Sequence, residues 1–239
     1  MKFFPTRSIS KLASVFSLLF LLFANSAAHA VEYEATFNGL WNATHATSYP
    51  AGAHFSDLVG ATHTSGTAFW KTGELASKGV EDVAELGDPT EMLDELAAAA
   101  QSGFAGPAIN FGSLFNLPNS STIRFEAETD KPFITLISMI APSPDWFVGV
   151  SGLSLRANGR WIEALTVQLR PYDAGTEEGN TFSLDNSPTN PIDPISTLSG
   201  LPFNGRPSLG TISFRLVTPQ PQPNNSGEYI PAIISTLLE

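Results

Sequence analysis

The sequence contains no cysteine and few basic residues. Because none of its 239 residues is a cysteine, a disulfide framework and a thiolate metal site are both excluded. Twelve lysines and arginines against 23 aspartates and glutamates give a formal net charge of −11. Such an acidic chain is a poor candidate for binding nucleic acid, or an anionic membrane, without a bridging cation. We therefore expect no nucleic-acid partner.

Sequence motifs of common hydrolases are missing as well. The chain has no HExxH zinc motif and no Gly-x-Ser-x-Gly nucleophile elbow. His45, His54 and His63 are spaced by nine residues, which favours lone histidines in polar loops over a zinc site. His54, Ser56 and Asp57 supply the residue types of a hydrolytic triad, but no elbow accompanies them. The sequence predicts that the protein is not an enzyme.

The first thirty residues predict a cleaved secretory signal peptide. Three basic residues lie within the first eleven positions, residues 12–24 form an apolar run, and residues 28–30 read Ala-His-Ala. The apolar run is shorter than the roughly 20 residues that span a bilayer. We expect a secreted or periplasmic protein that begins at Val31 and has no transmembrane segment after cleavage. Removal of the three basic residues takes the net charge from −11 to about −14.

Residues 31–239 predict a single, mainly β domain. Apolar and polar residues alternate along residues 31–41, 122–127, 165–169 and 211–217, which is typical of half-buried strands. Residues 133–140 are almost continuously apolar, as in a central strand buried on both faces. Residues 104–121 and 180–210 are predicted to be irregular, and residues 229–238 to be a last strand or a docked tail. Seven or eight strands with two short helices indicate an antiparallel β-sandwich.

The two helices are predicted from their end signals. Ser77 can cap a first helix that Gly87 ends. Asp88 can cap a second helix, with Pro89 in its first position and Gly103 after its last turn. We expect this pair to cover one edge or end of the sandwich.

Two acidic loops carry the strongest chemical signal. The first contains Asp145 and the second contains Asp173, Glu177 and Glu178, with no lysine or arginine in either loop. Two strand-like runs, residues 146–155 and 161–170, separate the loops and predict a hairpin that brings both loops to one end of a sheet. Converging carboxylates repel each other unless a cation lies among them, so the spacing indicates a calcium site.

Two other interpretations of the loops stay open at this level. The acids could be ordinary solvent-exposed loop residues, which is the most common environment for aspartate and glutamate. They could also be the paired carboxylates of a glycoside hydrolase. Trp146 and Tyr172, which neighbour the acids, would stack on a sugar in that case, or else wedge the loops onto the end of the sandwich.

Three ordered groups of residues resemble the spondin N-terminal domain. The first is FSDLVGATH at 55–63, followed by FWK at 69–71 and ASKGVE at 76–81. The second is SMIAPSPDWFVGV at 138–150. The third is PYDAGTE at 171–177, which is similar to the family motif Pro-Trp-Asp-Ala-Gly-Thr-Asp. The match runs from residue 31 to residue 198 and can be extended to residue 217.

The resemblance implies a β-sandwich like the calcium-dependent phospholipid-binding domains, found in adhesion proteins of the F-spondin and mindin kind. It also implies one calcium ion held by three acidic side chains, which correspond to Asp145, Asp173 and Glu177. The family usually has aspartate where this chain has Glu177, which adds a methylene, and Glu178 could substitute in a shifted register.

The cysteines and the accompanying repeats of the animal proteins are absent, so the chain is similar to a free-standing, microbial-type member. We expect an exported monomer that binds an extracellular protein or a glycan. A calcium-stabilised structural module and a carbohydrate-active hydrolase are the alternatives.

Overall fold

The computed structural model describes residues 30–114 and 117–218, and the backbone of two short strands at 222–223 and 229–230. The predicted signal peptide, apart from its last residue, and most of the predicted tail lie outside the described residues. Within the described part of the chain, no helix is both long and apolar enough to cross a membrane.

The elements are mostly strands. In chain order they are β1 (Val31–Gly39), β2 (His54–Phe55), β3 (Val59–His63), α1 (Lys78–Leu86), α2 (Thr90–Gln101), β4 (Ala105–Asn110), β5 (Asn119–Ala127), β6 (Phe133–Ala141), β7 (Trp146–Ser154), β8 (Arg156–Ala157), β9 (Arg160–Trp161), β10 (Ala164–Leu169), β11 (Tyr172–Asp173), β12 (Glu177–Glu178), β13 (Ser187–Pro188), β14 (Ser196–Thr197), β15 (Gly210–Leu216), β16 (Gln222–Pro223) and β17 (Tyr229–Ile230).

The strands form two antiparallel sheets packed face to face. The first sheet has the order β10-β15-β1-β5. The second has the order β14-β11-β7-β6-β3-β4, with β2 paired to β6. Three two-stranded pairs, β8-β9, β12-β13 and β16-β17, lie outside these sheets. The predicted antiparallel sandwich with two helices is confirmed.

The main core lies between the two sheets. β1 alternates buried and half-buried residues, so that Tyr33, Ala35 and Phe37 point inward. From the second sheet, Ile134 and Leu136 reach the same core. The period-two pattern of β1 therefore arises because one face of the strand is buried, as the sequence indicated.

A second core lies on the outer face of the second sheet, beneath the helices. Val80 and Val83 of α1 and Leu96 of α2 pack there against Ile137 of β6 and Phe147 of β7. The predicted position of the helices at an edge or end of the sandwich is wrong, since they cover a face. β6 is buried along nearly its whole length because each of its two faces packs into a different core.

The helix ends agree with the predicted signals in all but one detail. Ser77 caps α1 by accepting the Val80 N–H at 3.3 Å, and Gly87 ends it in the left-handed conformation with φ 67°. α2 begins one residue later than predicted, with Pro89 as the capping residue. Asp88 Oδ1 instead accepts the Thr90 N–H at 2.9 Å, because an aspartate oxygen readily bonds the backbone two residues ahead.

Two sequence predictions about strands are wrong. Residues 104–121 do not form one long loop, because β4 occupies 105–110 and β5 begins at residue 119. β4 tolerates Pro107 because it is an edge strand, paired only with β3. The predicted hairpin between residues 146–155 and 161–170 is also absent, since β7 and β10 lie in different sheets. The small β8-β9 pair carries the chain from one sheet to the other.

Candidate functional site

The two acidic loops meet through a direct strand pairing. β11 follows the chain's crossing to the first sheet and pairs antiparallel with the start of β7. In this register Asp173 lies opposite Trp146, which immediately follows Asp145. The backbone N–H of Ala174 donates to the carbonyl of Asp145 at 3.1 Å. The two loops therefore meet at one end of a sheet, as predicted. They do so through the pairing of β11 with β7 and not through the predicted hairpin.

Asp145 is the buried centre of this site, with none of its surface exposed. Its Oδ2 accepts the backbone N–H of Thr176 at 2.7 Å, the Thr176 hydroxyl at 3.3 Å and the backbone N–H of Glu177 at 3.1 Å. Its Oδ1 is buried and has no hydrogen-bond partner. Burial raises the pKa of the Asp145 carboxyl, and the hydrogen bonds to Oδ2 oppose the rise.

Asp173 is the second acid and is half-buried at the end of β11. Its Oδ1 accepts the backbone N–H of Gly175 at 2.9 Å. Burial, followed by repulsion from the Asp145 carboxylate, raises the pKa of Asp173 to about 6. The Asp145 carboxylate therefore opposes the ionisation of Asp173.

Gly175 makes the tight turn between Asp173 and Glu177 possible. Its φ of +76° lies in the left-handed region, and a Cβ there would be 2.1 Å from the carbonyl oxygen of Asp193. The Gly175 carbonyl also accepts the Asp193 N–H at 2.8 Å. The residue 193 segment thus packs closely against the acidic loop and holds its shape.

Glu177 and Glu178 differ in their surroundings. The Glu177 side chain is half-buried, and burial, then Glu85, then Asp145 raise its pKa. Glu178 is exposed and pairs through its backbone with Ser187 of β13. Of the two neighbours, Glu177 is the one that adjoins the other carboxylates.

Glu85 is a fourth acid near these loops, and no sequence motif marks it. It lies in the last turn of α1, where it is half-buried. Burial and the carboxylates of Glu81 and Asp145 raise its pKa. One sequence signal was available. The last turn of α1 contains an acid and no basic residue, and an acid at this end of a helix is unfavourable because it opposes the helix dipole.

The carboxylates repel each other across one region but do not close on a single point. Among the described residues, no three histidine, aspartate or glutamate side chains are drawn together closely enough to hold a metal ion. The chemistry of the donors nevertheless fits calcium, because the site offers carboxylate and carbonyl oxygens, and the unpartnered Asp145 Oδ1 is one of them. Calcium binding stays a prediction.

The three histidines make different local contacts. His45 Nδ1 accepts the Asn42 N–H, and His54 Nδ1 lies 2.7 Å from the Gly52 carbonyl. His63 is buried in β3. The hydroxyl of Ser56 accepts the Met139 N–H at 2.9 Å and so serves the packing of β6.

The aromatic residues beside the acids pack inward. Trp146 is buried and meets Phe182 and Phe203 at ring-centroid distances of 5.5 and 5.7 Å. Tyr172 packs on Trp70 and Phe147 at 4.9 and 5.5 Å. These contacts favour the role of wedges that fix the loops over that of a sugar-stacking platform.

The comparison with known proteins identifies the family of this chain. The sequence profile of the Spondin_N family matches residues 31–208, which include all four acids. The chain belongs to the Spondin_N family. The spondin match begins at the residue where the signal-peptide prediction places the start of the exported chain.

Two kinds of spondin are similar to this chain. Human (Homo sapiens) Spondin-2 is 34% identical over 184 residues, which cover 73% of this chain and 54% of the relative. Spondin-2 of Rattus norvegicus is 34% identical over 177 residues, with 70% and 52% covered. Human Spondin-1 is 32% identical over 185 residues, with 73% and 23% covered. The match therefore spans about half the length of the Spondin-2 proteins and less of Spondin-1.

Proposed function

We propose that this protein is an exported, calcium-binding spondin domain that works as an adhesion or binding module for an extracellular or envelope partner. One calcium ion would be held by Asp145, Asp173 and Glu177. The observation that carries the proposal is the fully buried Asp145 carboxylate, whose Oδ1 has no hydrogen-bond partner while two further acids adjoin it.

A buried carboxylate oxygen without a donor or counter-charge is costly, and native structures rarely keep one without a use. Oδ2 of the same carboxylate is well satisfied, so Asp145 is held in place by the second loop while Oδ1 is left available. A bound calcium ion would supply the missing positive charge and leave three carboxylates and the ion with a net charge of about −1.

The residues around the acids serve to fix the loops. Asp145 bonds the loop at residues 176 and 177, Gly175 permits its turn, and the Asp193 N–H closes it from the other side. Ion binding would add to this framework and stabilise the folded state by mass action. The stiffened loop end is then the surface that we propose meets a partner.

Binding is favoured over catalysis by the same geometry. Trp146 lies inside the core, where it cannot stack on a sugar. The oxygens of Asp145 are buried, whereas a glycosidase needs both of its carboxyls to reach a substrate in an open cleft. A hydrolase remains an outcome that the tests below would reveal.

Adhesion is proposed from the family membership. The spondin relatives resemble this chain over its sandwich, and extracellular binding to a protein or glycan is the property that we carry over. The rival is a structural module that binds calcium but has no partner.

Isothermal titration with calcium chloride tests the metal site. After dialysis against chelator, the protein should release or absorb heat with one-site stoichiometry, and its melting temperature should rise at millimolar calcium. Asp173→Asn should abolish both effects. Asp130→Asn is the matched control, because it makes the same change in the exposed turn before β6, where Asp130 contacts Lys131. The absence of heat and of any melting shift in the wild-type protein would reject calcium binding.

Capture from extracellular material tests the adhesion role. The immobilised protein should retain a protein or glycan in calcium and release it in chelator, and Asp173→Asn should retain neither. Calcium binding with no retained partner, on glycan arrays as well, would favour the structural module. Turnover of a glycan that is lost in Asp145→Asn would favour the hydrolase.

A further inference from the structure

A cleft of about 740 Å³ opens on the second sheet, on the face that carries the helices. Strands of that sheet contribute Phe133, Ser151 and Tyr172 to its lining, and the loop between β3 and α1 contributes residues 65–68 and 70–72. The volume lies within the range of about 300–1,000 Å³ that is usual for ligand sites. None of the three acids proposed to hold calcium lines this cleft, so it is a separate surface.

The loop that borders the cleft, residues 64–74, is anchored at two points. The Gly73 N–H donates to the Ile195 carbonyl at 2.8 Å, and the indole N–H of Trp70 donates to the Leu136 carbonyl at 3.1 Å. Because these contacts are made within the protein itself, the cleft is formed before any ligand arrives, as is usual for small-molecule sites.

Hydroxyl groups dominate the polar part of the lining. Those of Ser65, Thr72 and Tyr172 make no hydrogen bond to any other described residue, and each can both donate and accept. The Tyr172 ring packs against Trp70 and Phe147 at 4.9 and 5.5 Å, which also fixes the position of its hydroxyl. The cleft therefore offers a ligand several hydrogen-bonding groups that the described part of the chain leaves unused.

The lining has no unpaired charge. Its lysine and its carboxylate, Lys71 and Glu74, contact each other, with Nζ 2.8 Å from Oε1. Its histidine, His63, is buried, and burial lowers the pKa of the imidazole, which keeps the ring neutral near pH 7. A charged ligand would find no free counter-charge here, and an anion would also be repelled by the acidic chain as a whole. The cleft therefore favours a neutral ligand.

Phe133 adds an apolar ring to these polar groups. It is half-buried, and its ring stacks on that of His63 at 6.1 Å, so the aromatic surface is held in place. A pyranose combines an apolar face of C–H groups with hydroxyls around its edge, and an aromatic ring beside hydrogen-bonding groups matches both features. We propose that this cleft binds a neutral glycan without the help of calcium. This inference goes beyond the proposed function, which places a calcium-dependent partner at the loop end.

A glycan array probed in chelator tests the ligand class. Immobilised neutral oligosaccharides should retain the protein, because the cleft needs no ion. Sulfated oligosaccharides of similar length should retain less of it, since the lining has no free cation and the chain is acidic. Retention on no neutral glycan, or a preference for sulfated ones, would overturn the inference.

Titration of the retained glycan against matched variants locates its site. Tyr172→Phe removes one hydroxyl from the lining and keeps the ring packing, so the dissociation constant should rise about three- to tenfold, as for the loss of one hydrogen bond. Tyr49→Phe is the matched control, because the Tyr49 hydroxyl lies outside the cleft and donates to the Trp41 carbonyl at 3.3 Å. The control should change the constant by less than about twofold.

Gly66 allows the cleft to be filled. A Cβ at Gly66 would meet no atom within 4 Å, so the side chain of Gly66→Phe can enter the open space without a clash. It should abolish glycan binding, whereas Gly66→Ala, which adds a single methyl group, should keep most of it. Melting temperatures of both variants in chelator show whether the fold is kept, and Tyr172→Phe carries the test if Gly66→Phe does not fold.

Unchanged affinity in both Tyr172→Phe and Gly66→Phe would show that the glycan binds elsewhere and would overturn the inference. Failure of this site and failure of the calcium site can be told apart. A wild-type protein that binds calcium but no neutral glycan would contradict only the cleft, and one that binds the glycan but no calcium would contradict only the metal site.

Discussion

The backbone N–H of Thr176 donates to Oδ2 of Asp145 at 2.7 Å, across 31 residues of sequence. With the Glu177 N–H at 3.1 Å, this contact makes Asp145 a structural anchor for the second loop as well as a candidate ligand. One oxygen of the carboxylate holds the loop while the other has no partner. The two roles can be separated, because an asparagine can keep the anchor but not the charge.

Asp145→Asn should therefore fold in chelator with a stability close to that of the wild-type protein, since its amide oxygen can accept both N–H groups. Asp145→Ala leaves those buried donors unpaired and should be less stable than Asp145→Asn by about 1–3 kcal/mol. Urea denaturation in chelator measures this difference, and titration should show calcium binding in neither variant. Equal stability of the two variants would mean that the loop does not depend on the anchor.

Glu177 and Glu178 form a matched pair for testing the third ligand. Glu177 is half-buried beside Asp145 and Glu85, whereas Glu178 is exposed. Glu177→Gln should weaken calcium binding about tenfold, and Glu178→Gln should leave it within about twofold. Titration of both proteins under one set of conditions measures the contrast. The reverse order would indicate that the loop binds the ion in the shifted register.

The candidate site was easier to predict from the sequence than the topology that builds it. Asp145 and Asp173 were grouped because both loops are acidic and lack basic residues, and the structure does bring them together. The hairpin assumed to do so is wrong, because periodicity marks strands but does not say which sheet each strand joins. β11, only two residues long, is too short to leave a pattern.

Local signals account for what was predicted correctly elsewhere. The alternation of β1 and the Ser77 and Gly87 caps depend on neighbours in sequence, so they could be read directly. Glu85 could not be assigned in this way, since it lies 60 residues from Asp145 and comes near the acidic loops only because α1 packs on the second sheet. Calcium binding at the site stays a prediction.

Gly175 should be the most sensitive glycine of the second loop. Gly175→Ala places a Cβ 2.1 Å from the Asp193 carbonyl oxygen in addition to the cost of a positive φ. Gly205→Ala is the control, because Gly205 has a similar φ of +75° but no atom within 4 Å of its Cβ position. The control should lose about 1 kcal/mol of stability, the ordinary cost of alanine in the left-handed region.

Gly175→Ala should lose clearly more, about 3 kcal/mol, because the backbone must shift to relieve the clash. It should also weaken calcium binding, since Asp173 and Glu177 flank the turn. Urea denaturation and calcium titration of the two variants measure these effects. Similar losses in both variants would mean that the loop relaxes around the new methyl group without strain.

The buried imidazole of His63 should make the fold sensitive to mild acid. Its Nε2 lies 2.8 Å from the Thr135 hydroxyl and its Nδ1 lies 2.8 Å from the Thr64 carbonyl, so Nδ1 carries the proton of the neutral ring. The rings of Phe69 and Phe133 pack against it at 5.8 and 6.1 Å. Burial lowers the pKa of His63, while the Thr64 carbonyl opposes the change.

Since its pKa is lower in the folded state, His63 takes up a proton more readily in the unfolded chain. Its contribution to stability is therefore complete above the unfolded pKa of about 6.5 and is lost as the pH falls through the folded pKa, at up to about 1.4 kcal/mol per pH unit. His63→Gln should be less stable at pH 7 but should lack this loss, so the free energies of unfolding of the two proteins should converge between pH 7 and pH 5.

The comparison must be made as a difference between proteins, because Asp173, with a pKa of about 6, titrates over the same range with the opposite sign. Its contribution is common to the wild-type protein and His63→Gln and cancels in their difference. Thr135→Val is a useful control, since it removes the hydroxyl beside Nε2 but leaves the imidazole buried. Thr135→Val should lower stability at every pH and keep the acid-dependent slope. A constant difference in the free energy of unfolding between wild type and His63→Gln from pH 7 to pH 5 would show that His63 does not sense acid.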